Sequence, residues 1–303
     1  MSRRRRLALR MLISLLVVGC LLVGSWFTFR VRREQLMGMR PRRVPVVRPA
    51  DSELAPLRDV EFRSADGLLL RGWYAPSKNG AAIVLAHGYA ANRTQLLPEA
   101  RVLMRAGYGA LVFDFRAQGE SEGDRLSFGD WERRDVRAAL DFVAAQRDVD
   151  AARLGILGFS AGSAPVAMVA ADDPRIRAVV IEGTYTSMKD ALHDQSGRLG
   201  WLWSTPALLL LRASGIDVNA VRTDTAVARL SPRPLLLVHG DQEPDYVQAS
   251  MRKLYAAASQ PKRLLVVRGA GHGKYMKAQD AAAYEHELLS LFDGPLRDAM
   301  LPQ

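Results

Sequence analysis

Between residues 58 and 292, short apolar runs alternate with amphipathic stretches, and the period of each predicts its structure. Ala82–Ala86, Gly109–Phe113, Arg153–Leu157, Ala178–Glu182, Pro234–Val238 and Arg263–Val267 are near-continuous apolar runs. Runs this short, without polar alternation, predict strands buried on both faces. Gln95–Ala106, Trp131–Gln146, Val247–Ala258 and Ala281–Phe292 are the amphipathic partners and predict helices. Leu96, Leu97, Val102, Leu103 and Met104 mark the inner face of the first, and Leu140, Phe142 and Val143 that of the second. Ala161–Ala171 is small and apolar throughout and predicts a buried helix, while Asp59–Arg63 and Leu68–Trp73, joined by Ala65-Asp66-Gly67, predict an opening hairpin. The expected class is α/β, a mostly parallel sheet with helices on both faces.

Two segments break this alternation. Residues 184–230 are too long for a simple crossover and carry Trp201, Leu202, Trp203 and Leu208–Leu211, which predicts a helical cap insertion. Pro206 interrupts its apolar run and argues against a membrane span there. The other segment is Met11–Phe29, nineteen residues without a charge, preceded by Arg3–Arg6 and Arg10 and followed by Arg30, Arg32 and Arg33. As a helix it would cover about 28 Å, close to the hydrocarbon core of a bilayer. A cleaved signal peptide would need a shorter apolar core and a better processing site than Gly24-Ser25-Trp26-Phe27. Val17-Val18-Gly19-Cys20 resembles a lipobox, but the apolar run continues for nine residues beyond it. The expected organisation is an N-terminal anchor over 1–40 with a transmembrane helix about 11–29, a proline-containing linker over 41–57, and a globular domain over 58–295. Removal of residues 1–40 is expected to leave a soluble, active domain. Arginines flank both ends of the apolar run, so charge bias leaves the membrane side of the domain open.

Charge supports this division. The chain of 303 residues has a net charge of +10, but residues 1–48 hold 12 arginines and one acid, and the remainder is near neutral. No basic face for nucleic acid is implied in the body. The one cysteine, Cys20, excludes an internal disulfide framework and a multi-cysteine metal site. Nothing in the pattern calls for a metal or cofactor, and oligomeric state is not legible.

The chemistry concentrates at Gly158-Phe159-Ser160-Ala161-Gly162, a Gly-x-Ser-x-Gly pentapeptide between a predicted strand and a predicted helix. A serine hydroxyl is a weak nucleophile unless it is held clear of the backbone beside a base, which a sharp strand-to-helix turn achieves. His272, in Gly269-Ala270-Gly271-His272-Gly273 after the last strand, stands where a base can reach it; His193, His239 and His286 do not.

On these residues, together with His87-Gly88-Tyr89 and Asp114-Phe115-Arg116-Ala117-Gln118-Gly119-Glu120-Ser121, the chain from Asp59 to Phe292 resembles the α/β-hydrolases. The similarity is to the group of serine aminopeptidase-like, Bem46-like and monoacylglycerol lipase-like proteins. Ala117 stands where the family's loop has a glycine. The resemblance implies an oxyanion hole from the amides of Tyr89 and Ala161, with His87 structural. It also implies an acid after the strand Pro234–Val238, in the order Ser, acid, His. Asp241, Glu243 and Asp245 are available. The family's register puts Glu243 on the acid position, with Asp245 and Asp241 as alternatives.

The expected function is a serine hydrolase cleaving a carboxylic ester through an acyl-enzyme, acting on a small-molecule or lipid ester, with membrane attachment through the N-terminal helix. Trp201, Leu202, Trp203 and Leu208–Leu211 would form the acyl wall. One alternative is an aminopeptidase or amidase, which would need cap acids such as Asp190, Asp194 or Asp217 to hold an amine. The other is a non-catalytic membrane-tethered scaffold. Ser160 excludes the nucleophilic aspartate of dehalogenases and epoxide hydrolases of this fold.

Overall fold

The computed structural model describes residues 3–195 and 200–297. Eight strands form one sheet: β1 (Arg58–Arg63), β2 (Leu69–Ala75), β3 (Ala82–Ala86), β4 (Gly109–Phe113), β5 (Leu154–Phe159), β6 (Ile176–Glu182), β7 (Leu235–Gly240) and β8 (Lys262–Val267). Their order is β1-β2-β4-β3-β5-β6-β7-β8. The β1–β2 and β2–β4 pairs are antiparallel and every other pair is parallel. All residues of β3, β4, β5 and β7 are buried, the burden of lying between two helical layers.

The helices are α1 (Arg3–Met39), α2 (Leu97–Arg105), α3 (Glu132–Ala144), α4 (Ser163–Asp172), α5 (Met188–Gln195), α6 (Gly200–Ala213), α7 (Thr223–Ala228), α8 (Asp245–Ala257) and α9 (Ala281–Arg297). Helix α4 is buried from Ser163 to Ala170, since it packs beneath the sheet centre rather than at the surface. Residues 184–230 hold α5, α6 and α7 between β6 and β7. Helix α6 continues through Pro206 instead of breaking there.

Helix α1 contains the window Ile13–Arg30, with mean hydropathy 1.8 and no residue buried, so by length and composition it can cross a membrane. It does not end where the apolar run ends. Over 37 residues it extends about 55 Å, and its last residue, Met39, is buried in the hydrophobic core. The Met39 carbonyl accepts a 2.8 Å bond from the Leu126 N–H.

The proline-containing stretch beyond α1 is extended and bonded along its length to the body. Arg43 donates to the carbonyl oxygens of Gly119 (2.9 Å), Ser121 (2.6 Å) and Gly123 (2.8 Å). The Asn92 amide donates to the carbonyls of Val44 and Pro45, both at 3.1 Å. Arg48 bonds the Leu57 carbonyl and lies over the Trp73 ring, 4.4 Å from its centroid. A cut after residue 40 therefore removes a core side chain. Removal of 1–40 is expected to cost about 2 kcal/mol relative to removal of 1–37, from the lost burial of Met39. That difference should lower Tm by several degrees. Equal thermal unfolding midpoints for the two truncations would show that Met39 contributes nothing.

Candidate active site

The turn after β5 holds Ser160 at φ 52, the left-handed region that a residue with a Cβ rarely adopts. Two glycines make that turn possible. A Cβ on Gly158 would lie 2.7 Å from the Ser163 Cα, and one on Gly162 would strike the carbonyl oxygens of Ala86 and His87. Strand β5, helix α4 and the end of β3 thus converge at the serine. The Thr184 hydroxyl donates to the Ser160 carbonyl at 2.9 Å and ties the turn to the end of β6.

His272 enters from the loop after β8. Its Nε2 lies 2.9 Å from Ser160 Oγ, and its Nδ1 lies 2.9 Å from Glu243 Oε2. Its ring packs on Phe159, with centroids 4.7 Å apart. Gly273, at φ 70, follows, where a Cβ would lie 2.7 Å from the Phe159 ring. The loop reaches the serine because nothing projects from that position.

Of the three candidate acids, the structure brings only Glu243 to the histidine. It is buried, and its Oε1 accepts from the Tyr275 hydroxyl and from the Gly240 N–H at 3.3 Å. Burial alone would push its carboxyl up. The hydrogen bonds from His272 and Tyr275, together with the histidine's charge, outweigh burial and hold it below its ordinary value. Asp241 accepts from the Gly269 N–H at 2.9 Å and joins the loops after β7 and β8. Asp245 is exposed at the start of α8.

Tyr89 and Ala161 line the same cavity as Ser160 and His272. The loop before Tyr89 is set by the Gly88 N–H, which donates to Gln95 Oε1 at 2.8 Å. His87 lies behind it: Nδ1–H donates to the Gly88 carbonyl at 2.7 Å, and Nε2 accepts from the Phe115 N–H at 3.1 Å. Burial pushes its pKa down to about 4, so it is a neutral structural imidazole at pH 7. Asp114 accepts from the Arg93 guanidinium at 2.7 Å and the Glu120 N–H at 2.9 Å. Arg116 pairs with Asp135 at 2.7 Å, so these charges brace the loop beneath the site. Ala117, in place of glycine, takes φ 60.

The cavity over Ser160 measures about 360 Å³. Its apolar wall comes from Phe128, Tyr185, Met188, Leu192, Leu211 and Val247. Of the expected acyl wall, Leu211 is present, whereas Leu209 faces outward, 57% exposed. The side chains of Trp201, Leu202 and Trp203 lie outside the described residues. No acid is among the described lining residues. Asp190 instead accepts from Thr186 and Ser187, and Asp217 caps the Asn219 and Ala220 amides.

Sequence patterns missed several neighbours. Tyr275, three residues after His272, presents its hydroxyl to Glu243. Gly183 closes β6 at φ 46, where a Cβ would lie 2.8 Å from Tyr275 Oη and 3.0 Å from Glu243 Oε1. Only a glycine there leaves room for the Glu243 carboxylate. Behind it, Glu182 is buried and accepts from the Tyr284 hydroxyl. Burial, then the neighbouring charge of Glu99, push the Glu182 carboxyl well up, and burial pushes Glu99 to about 7.

These raised values have a sign. Between pH 4.5 and about 7 the folded state holds a proton on Glu99 that the unfolded chain has lost, so stability falls as pH rises through that window. Glu99→Gln is expected to raise stability at pH 8 by roughly 1–3 kcal/mol, with a much smaller effect at pH 4.5. Thermal unfolding of both proteins at the two pH values checks this; an identical Tm difference at each would refute the linkage.

The strand order and the turn at Ser160 are those of an α/β-hydrolase. Residues 77–231 match the family model described as Serine aminopeptidase, S33, and the chain belongs to that family of serine-type α/β-hydrolases. An uncharacterized Mycobacterium tuberculosis protein, MT2364, is 30% identical over 265 residues, covering 86% of this chain and 88% of its own. The uncharacterized protein YfhR of Escherichia coli O157:H7 is 29% identical over 240 residues, covering 76% and 78%. Among solved structures, the esterase Pf2001 of Pyrococcus furiosus superposes with a TM-score of 0.69 at 20% identity, covering 85% of this chain and 99% of that one.

Proposed function

We propose that the protein is a membrane-anchored carboxylic ester hydrolase with Ser160, His272 and Glu243 as its catalytic triad. The observation that carries this reading is the pair of 2.9 Å contacts linking Glu243, His272 and Ser160 at the floor of an apolar cavity. Ser160 Oγ attacks the ester carbonyl carbon while His272 Nε2 takes the hydroxyl proton. The N–H groups of Tyr89 and Ala161 stabilise the oxyanion, a pair of donors each worth about 3 kcal/mol in related sites. The tetrahedral adduct collapses, the C–O bond to the alcohol breaks, and the alcohol leaves with the proton from His272. Water, deprotonated by His272, then attacks the acyl-enzyme and releases the carboxylic acid, returning the proton to Ser160. Glu243 accepts from Nδ1–H throughout, which keeps Nε2 basic and steadies the imidazolium.

An ester is favoured over an aminoacyl amide because no carboxylate is among the described residues that line the cavity to receive a substrate ammonium. The N-terminal helix supplies the anchor, since most of its described apolar side chains between Met11 and Phe29 are exposed. The test is turnover of p-nitrophenyl esters of graded chain length against aminoacyl p-nitroanilides, with fluorophosphonate labelling of Ser160. Esters should exceed the anilides by at least about 100-fold in kcat/KM. A preference for free-amine anilides would replace the ester reading with the amidase one. Absence of both turnover and labelling would leave a scaffold.

A further inference from the structure

A second cavity, of about 670 Å³, adjoins the first. Its walls are Phe29, Arg32 and Arg33 from α1, Arg40 and Arg42 from the stretch that follows, and Tyr89. Tyr89 is common to both cavities, and its ring stacks on Phe128 with centroids 5.9 Å apart. A molecule filling both would bend around one tyrosine.

The chemistry of the second cavity is one-sided. Four arginines line it, and no carboxylate is among the described lining residues. Arg40 has Asp124 at 3.2 Å in an exposed pair, which is worth little in water. Arg32, Arg33 and Arg42 have no acidic partner among the described residues. Like charges gathered in one concavity repel unless an anion joins them, and the planar guanidinium fork suits phosphate oxygens. The arrangement is also held in place. Arg32 and Arg33 sit on a continuous helix, and Arg42 precedes Arg43, whose guanidinium is bonded to three backbone carbonyls within 3 Å.

The cavity also lies next to the apolar segment. The window Ile13–Arg30 ends where this cavity begins, with Phe29 exposed on its wall. Gly38, eight residues further along the same helix, lines the cavity over Ser160. The helix rise separates Arg30 from Gly38 by about 12 Å. Beyond the hydrocarbon lies a headgroup layer of roughly 5–8 Å on each side. Arg32 and Arg33, roughly 3–5 Å past Arg30 by the same rise, therefore stand in the headgroup layer, with the cavity over Ser160 just beyond it.

We infer that the arginine-lined cavity is a subsite for the phosphate-bearing headgroup of an amphiphilic ester, whose acyl chain occupies the apolar cavity and whose carbonyl lies at Ser160. This rests on the ester-hydrolase reading. The full-length chain in neutral detergent micelles is assayed on two esters with the same chain, 1-oleoyl lysophosphatidic acid and 1-monooleoylglycerol. The variant carries Arg32→Gln, Arg33→Gln, Arg40→Gln and Arg42→Gln together. A control carries four glutamines at Arg3–Arg6, which removes the same charge from the other end of α1.

The ratio of kcat/KM for the anionic over the neutral ester should fall at least tenfold in the first variant, through KM, and hold in the control. An equal fall in the control would reduce the effect to net charge and overturn the subsite. So would an unchanged ratio in a first variant that still labels with fluorophosphonate. Inhibition of both esters by inorganic phosphate with an unchanged ratio would give the cavity to a free anion instead. Failure of the wild type to hydrolyse either ester or p-nitrophenyl octanoate, without labelling, would instead overturn the hydrolase reading, and the subsite with it.

Discussion

Ser160→Ala is expected to lower kcat for ester hydrolysis on the order of 10⁶-fold, with the residual rate set by binding and the oxyanion donors. The loss is large because the triad acts as a unit: without Oγ there is no acyl-enzyme, and the base has nothing to activate at that position. Folding should be untouched. Alanine occupies the left-handed conformation at position 160 about as poorly as serine does, and the contacts that define the turn are made by Gly158, Gly162 and the Ser160 backbone carbonyl. Turnover of a p-nitrophenyl ester, read beside the thermal unfolding midpoint, checks both halves. Near wild-type turnover in purified protein would remove Ser160 from the mechanism.

Glu243→Gln is expected to lower kcat on the order of 10⁴-fold, the effect of giving a catalytic histidine an amide in place of its carboxylate. The amide keeps the size of the side chain but can present N–H to His272 Nδ1, which favours the tautomer with its proton on Nε2, facing Ser160. It also withdraws the negative charge that stabilises the imidazolium. Asp241→Asn and Asp245→Asn should each cost less than about tenfold. Asp241 bonds a backbone amide and Asp245 is exposed, so neither faces the imidazole. A large loss confined to Asp245→Asn would overturn the assignment. The depressed pKa of Glu243 adds a pH signature. Its contribution to stability is present above the ordinary carboxyl value near 4.5 and is lost as pH falls through its lower folded value. The amide variant should therefore lose less stability than wild type on acidification below pH 4.5.

The strands and helices of the body were legible in the chain because their signals are local. A five-residue run such as Ala82–Ala86 has no polar position because both of its faces are covered, and that shows in composition alone. The turn at Ser160 was legible for the same reason. The steric demands on Gly158 and Gly162 arise from atoms only a few residues away or from the strand the motif abuts. That His272 comes within reach of Ser160 was legible from its place after the last strand.

Other features depended on segments that meet only in three dimensions. Three acids within five residues, Asp241, Glu243 and Asp245, are equivalent in composition; the family's register pointed to Glu243, and it is the path of one loop that carries this carboxylate to His272. Tyr275 and Gly183 matter because strands β6 and β7 and the loop after β8 converge on one carboxylate. The carboxyl pair Glu99 and Glu182 sits on α2 and β6, far apart in the chain, and burial rather than sequence raises their pKa values. The prolines of residues 41–57 signalled an extended strand of chain, but whether it hangs free or lies on the body was settled by Arg43, Arg48 and Asn92 finding partners there. Periodicity and turn chemistry record what a residue's own neighbourhood requires, whereas the contact of Glu243 with His272, the cavity walls and the docking of α1 depend on backbone paths realised only in the packed fold.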